Sequence, residues 1–340
     1  MNDSAESPET PPGRPASGLP HGLSHLCLLD GKGGRAPMAA DQLADWKPGD
    51  GALWLHVDFT NPDAQGWLES ESGIDALAVT ALLEVESRPR LTRIGDAALM
   101  ALRGVNYNQG ATPDDMIGLR IWVEENRVVT SFRRKLKSVD DVLEALEEGD
   151  GPSSAAGVVT AIAYHLVLRM NDTVNNLEDL TAELEEQLVA EASFETRFSL
   201  ANLRRQVIAL RRYMAPQRDA LASLINAKFS WISEDLRLSL RETNDRLSRH
   251  LEDLDAIRER AAVTQEEIQN RLAERQNVRM YVLSIVAAVF LPLGFLTGLL
   301  GINVGGIPGA DNKAAFGMFI AFLVVVVVGQ IIFFRFRKWF

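Results

Sequence analysis

Two hydropathic regimes divide the chain. No residue is charged from Met280 to Ala310 or from Ala314 to Phe334, whereas everything before Arg279 is charge-rich throughout. Met280–Leu300 and Ala314–Phe334 are 21 residues each, close to the roughly 20 that a helix needs to cross a hydrocarbon core. The pattern predicts two transmembrane helices, 280–300 and 314–334, joined by a loop over 301–313.

Upstream, short apolar runs at His25–Asp30 and Ala52–Phe59 read as strands, the second followed by a helix-starting turn at Asn61-Pro62-Asp63. Ile74–Glu86 has helical apolar spacing. Leu91–Val105 and Ile117–Phe132 alternate polar and apolar residues, with a hairpin-like turn at Glu124-Glu125-Asn126. Beyond Ser138 the strands stop. Val139–Glu148 reads as a short helix broken by Gly149-Asp150-Gly151-Pro152, and the rest as long helices: one to about Glu191, one over Phe194–Phe229 carrying Pro216, and one capped by Ser233 with Glu234 and Asp235 in its first turn.

That last helix carries a seam at steps of three and four: Leu236, Leu240, Thr243, Leu247, His250, Leu254, Ile257, Ala261, Thr264 and Ile268. Neither Pro nor Gly interrupts the chain between Ser233 and Pro292. One continuous helix into the membrane, about 100 Å long, is therefore predicted. The fold class is α+β: a disordered tail over 1–22, a mixed α/β cytoplasmic domain over 23–150, a helical stalk over 151–278, and a transmembrane domain over 279–340.

Charge narrows the function. The formal net charge is −11. Five of the 35 bases and one of the 46 acids lie beyond Val278, so the soluble part holds 30 bases against 45 acids, an excess of 15 negative charges. Such a surface repels nucleic acid and concentrates cations. Cys27 is the only cysteine, and the five histidines have no ligand spacing, which excludes a Cys/His structural zinc site and fits a reducing compartment. Residues 1–20 lack the basic start and apolar core of a signal peptide. No phosphate-binding loop, nucleophile elbow or His–carboxylate cluster suggests an enzyme, and Gly31-Lys32-Gly33-Gly34 reads as a plain turn.

Arg271, Arg275 and Arg279 precede the first span, and Arg335, Arg337 and Lys338 follow the second, which predicts both ends cytoplasmic. Two helices cannot enclose a water-filled path, so conduction would require a closed ring of copies. Asn277, Met280, Ser284, Ala287, Leu291, Gly294 and Gly298 form a stripe of mostly small or flexible residues suited to that axis. Close helix packing without a pore accounts for the same glycines. The second span, rich in Val, Ile and Phe, reads as apolar all round and suited to lipid.

The loop after the first span begins Gly301-Ile302-Asn303-Val304-Gly305-Gly306-Ile307-Pro308-Gly309. With Val282-Leu283-Ser284-Ile285, Phe290-Leu291-Pro292-Leu293 and Arg211-Arg212-Tyr213-Met214-Ala215-Pro216, it resembles the CorA superfamily of divalent-cation transporters, more closely its ZntB branch. The resemblance implies a funnel-shaped homopentamer in the bacterial inner membrane. It implies Gly301, Ile302 and Asn303 at the pore mouth, with a ring of Asn303 carboxamides holding the cation through its waters. It places Asn277, Met280, Leu283, Leu291, Gly294 and Gly298 at narrow points along the pore, which Ser284 and Ala287 of the stripe would also line, with Met280, Leu283 and Leu291 as hydrophobic gates; lipid or inter-helix packing is the alternative for those three. Zinc uptake coupled to protons is the implied activity. No resident cofactor is expected, only the transported ion: zinc, or else cobalt, nickel, cadmium or magnesium.

Two features of the residues constrain that expectation. No acidic, basic or imidazole side chain lies between Arg279 and Asp311, so no proton relay through such groups is encoded in the first span. Neither span contains His or Cys, so zinc would pass hydrated. A passive magnesium, cobalt or nickel channel is the alternative within transport, and a membrane-anchored coiled-coil scaffold or sensor the alternative outside it. The acidic run Asp172, Glu178, Asp179, Glu183, Glu185, Glu186 and Glu191 reads as a solvated helical face or as a regulatory cation surface.

Overall fold

In the computed structural model the described residues are 22–36, 38–112, 114–190, 194–301 and 312–337. They fall into two compact units, one ending at Gln265 and one beginning at Glu266.

The first unit is built on a seven-stranded sheet of β1 (Leu23–Leu29), β2 (Arg35–Ala36), β3 (Leu53–Asp58), β4 (Arg90–Ile94), β5 (Ala97–Gly104), β6 (Ile117–Val123) and β7 (Arg127–Phe132), in the order β2-β1-β3-β7-β6-β5-β4. The β3–β7 pair is parallel, with Leu55 opposite Val129; every other pair is antiparallel. This pairing joins residues more than 70 positions apart and closes the predicted β6–β7 hairpin into one sheet with β1 and β3; the run read as continuous over Leu91–Val105 is itself a hairpin, β4–β5, turning at Gly95-Asp96.

Two helices cover one face: α1 (Pro62–Ser70), whose N-terminus is capped by the Asn61 side chain, and α2 (Ala76–Leu82), capped by Asp75. Leu55, Val57, Leu68, Val79, Leu82, Leu99, Trp122 and Val129 form the core there. After α3 (Lys137–Glu148), α4 (Ala155–Ala190) and α5 (Phe194–Asn226, with Pro216 inside) cover the other face. A Cβ on Gly104 of β5 would meet Leu166 of α4 at 2.6 Å, which shows how closely that layer approaches.

Cover on both faces explains a departure from the sequence pattern. β4 is exposed or half-buried throughout, but Ala97–Leu102 of β5 is buried at every position, and β6 and β7 nearly so. Such strands carry continuous apolar runs because neither face reaches water.

The last long helix, α6, runs unbroken from Glu234 to Leu300, 67 residues with Pro292 inside. The Ser233 hydroxyl accepts from the Leu236 amide at 3.3 Å, capping the N-terminus. Within the first unit its seam is buried at Leu240, Thr243, Leu247, His250, Leu254, Ile257, Ala261 and Thr264. Ion pairs flank the seam: Arg211 of α5 reaches Asp255 at 2.7 Å, and Arg260 reaches Glu185 of α4 at 2.7 Å. The second unit comprises the remainder of α6 and α7 (Ala315–Phe336).

Candidate functional site

Both helices of the second unit have the length and apolarity of a membrane span, with mean hydropathy of 2.3 and 2.7 over their most apolar windows. On α6 the half-covered positions are Ile285, Ala288, Val289, Leu293 and Leu296. At about 100° per residue these share one face. The matching stripe on α7 is Phe319, Leu323, Val326, Val327 and Gln330, with Phe334 buried.

Asn277, Met280, Leu283, Ser284, Ala287, Leu291, Gly294 and Gly298 are all exposed and cluster on the opposite face of α6. Met280 is 68% exposed, Leu283 69% and Leu291 73%. The stripe singled out from residue size is thus open in the single chain, as are Val282, Phe290 and Phe295 beside it.

Two hydroxyls of the span bond back to the helix. Ser284 Oγ donates to the Met280 carbonyl at 2.8 Å, and Thr297 Oγ1 to that of Leu293 at 2.9 Å. Neither hydroxyl proton is therefore directed away from the backbone. Nothing lies within 4 Å of where a Cβ would sit on Gly294 or Gly298. At the end of α6 the Gly301 amide donates to the carbonyls of Thr297, at 3.0 Å, and Gly298, at 3.2 Å, tightening the last turn. Ile302 and Asn303 lie outside the described residues.

Where the uncharged stretch begins, Arg271, Arg275 and Arg279 recur every four residues, and Arg271 pairs with Glu267 at 2.7 Å. Arg335 stands in the last turn of α7 and Arg337 caps it. Among the described residues no three His, Cys, Asp or Glu side chains converge as metal ligands. On α4, Asp172, Glu178, Asp179, Glu183 and Glu186 are exposed, whereas Glu185 is held by Arg260, whose guanidinium keeps its carboxyl below the usual range. Glu191 lies outside the described residues.

The second span is not apolar all round. Gln330 sits on its half-covered face with Oε1 buried and no hydrogen-bond partner among the described residues. The signal was present as the only polar side chain between Ala315 and Phe334, and its importance came from the face on which the helix places it.

A long helix ending in a span with an open stripe of small and flexible residues, followed by one further span, defines a two-span membrane protein of the ion-transport class. Residues 49–338 match the family described as CorA-like Mg2+ transporter protein. The chain belongs to this family of divalent-cation transporters. It is 43% identical over 326 residues to the divalent cation transporter CmaX of Pseudomonas aeruginosa, covering 95% of this chain and 97% of that one. It is 38% identical over 311 residues to the zinc transport protein ZntB of Yersinia enterocolitica, covering 92% and 94%. The structure of full-length CmaX superposes with a TM-score of 0.83 at 41% identity, covering 95% of this chain and 99% of that one. The CorA magnesium transporter of Methanocaldococcus jannaschii gives a TM-score of 0.74 at 19% identity over 85% and 92%, a likeness of fold.

Proposed function

We propose that the chain carries zinc across a bacterial inner membrane, as a funnel-shaped homopentamer whose axis is lined by the open face of α6. The observation that carries this reading is the division of α6 into a half-covered face and an exposed face of Met280, Ser284, Ala287, Leu291, Gly294 and Gly298. Copies gathered around an axis would turn that exposed stripe inward and keep the half-covered one outward. Asn303 would offer carboxamide oxygens to the hydrated ion at the mouth, beside Gly301 and Ile302, and Met280, Leu283 and Leu291 would close the path by dewetting. The ion is cargo, and the protein needs no resident cofactor.

The arginines at 271, 275 and 279 and the basic cluster after α7 support an arrangement with both termini cytoplasmic. Zinc is favoured by the similarity to ZntB, a zinc transport protein. Proton coupling would run through waters or cytoplasmic groups, since the first span offers no carboxylate, imidazole or basic side chain. A passive channel for magnesium, cobalt or nickel is the second reading, favoured by the match to CmaX, which is described only as a divalent cation transporter.

Purified protein in liposomes decides between them. Zinc entry that rises with an imposed pH gradient and is abolished by Asn303→Ala supports proton-coupled zinc uptake. Magnesium flux equal to zinc flux and indifferent to pH establishes the passive channel, and no flux of any divalent ion refutes both.

A further inference from the structure

The end of the sheet where β3, β5 and β7 finish and β6 begins holds a cavity of about 510 Å³. These three strands run in one direction with β6 opposed, so their carboxyl ends share this edge.

The walls carry Arg103, Arg120, Arg133 and Arg134 against the acids Glu86 and Asp115. Arg134 and Asp115 satisfy one another through a two-bond fork, with Nη2 to Oδ1 at 3.1 Å. The remaining three guanidinium groups make no ion pair among the described residues.

Arg103 and Arg120 are held in place without being neutralised. Arg120 is 2% exposed; its Nη2 donates to the Val85 carbonyl at 2.6 Å and its Nη1 to Gly118 at 3.1 Å, while Nε is buried with no acceptor. Arg103 donates from Nη1 to the Met116 carbonyl at 2.8 Å and from Nε to Ser87 at 3.1 Å. Carbonyl oxygens orient a guanidinium but leave its charge. The α5 segment completes the wall: Tyr213 lies under Arg103, 4.0 Å from guanidinium carbon to ring centre, and the Gln217 side chain accepts from the Arg103 amide at 2.6 Å. Burial and then the Arg103 charge push Arg120 down to about 10, which leaves it cationic at neutral pH.

We propose that this cavity is an anion site that takes a phosphate group, either free or as a small phosphate monoester, between Arg103, Arg120 and Arg133. A preoriented planar fork matches the oxygens of phosphate, and a dianion would relieve the repulsion between neighbouring guanidinium groups. Gly118 keeps the floor open, since a Cβ there would press on Arg120 Nη1 at 3.3 Å. The inference is independent of which cation the protein carries.

Calorimetric titration of the full-length protein in detergent tests it, with inorganic phosphate in one arm, adenosine 5′-monophosphate in a second and chloride at equal ionic strength as the reference. Saturable binding in either of the first two arms is expected, weakened about tenfold or more in Arg103→Gln, since an ionic fork is lost, and weakened less in the exposed Arg133→Gln. Should Arg103→Gln fail to fold, Arg133→Gln decides: an affinity equal to that of the unaltered protein overturns the assignment. Heats no greater than those of chloride in both arms overturn it as well.

Discussion

Gly33 lies backbone to backbone against Gly149: a Cβ on Gly33 would fall 2.4 Å from the Gly149 carbonyl oxygen, and the Gly33 carbonyl accepts from the Gly151 amide at 2.8 Å. Gly33 has φ +107°, and Gly149, at φ +86°, ends α3 in the left-handed region. The contact joins the β1–β2 turn to the α3–α4 turn. Gly33→Ala should cost more than roughly 2 kcal/mol, combining backbone strain with a clash against main chain. Gly31→Ala, with φ +74° but open space around it, should cost only about 1 kcal/mol of strain. Urea unfolding of the two variants checks the difference.

His56 is stacked on Phe132 with ring centres 4.2 Å apart, and its Nδ1 lies 2.7 Å from the Thr130 hydroxyl. Burial, and then the charge of His25, lower it from 6.5 to about 3. A base depressed in the folded state is neutral there while the unfolded chain takes up its proton, so the stability lost begins at the unfolded value, 6.5, and grows as pH falls toward 3. At pH 5 the penalty is roughly 2 kcal/mol. His56→Gln should remove that part of the acid sensitivity, read as a shallower fall of the unfolding midpoint between pH 7 and pH 5; an unchanged slope would show that other groups dominate.

Arg260 grips Glu185 with two bonds, Nε to Oε1 at 3.0 Å and Nη2 to Oε2 at 2.7 Å, tying α6 to α4. Both side chains are a little over one third exposed, so solvent screening limits the pair to about 1 kcal/mol. Because the fork lowers the Glu185 carboxyl, this contribution is present above the ordinary glutamate range and disappears as pH falls through the lowered value. Arg260→Met should reduce the unfolding free energy by about that amount at pH 7 and change it little at pH 3, as denaturant titration at the two pH values would reveal.

On the open face of α6, Gly298→Leu adds bulk where the single chain has empty space. If that face lines the axis, flux in liposomes should fall at least roughly tenfold with helix content by circular dichroism unchanged. Full flux in this variant would remove the face from the conduction path.

Much of the architecture was legible before any coordinates. Asn61 caps α1, Ser233 caps α6, and the Glu124-Asn126 turn joins β6 to β7, because caps and tight turns depend on a few adjacent residues. The same locality made both spans readable, since twenty uncharged residues identify their solvent without reference to the rest of the chain. The two-residue strand β2 escaped notice, being too short to show a period.

By itself, then, the sequence determined the elements, the two media they occupy and the stripe on α6 suited to an axis, all properties of neighbours within a few turns. Only the tertiary structure decided that β3 pairs in parallel with β7, that α4 and α5 close over the sheet, and that arginines from β5, β6 and the segment after β7 share one cavity. Those are contacts between residues far apart in the chain, and no periodicity records them: apolar strands buried on both faces are compatible with many strand orders, and an isolated arginine looks the same in sequence whether it meets a carboxylate, a carbonyl or another arginine.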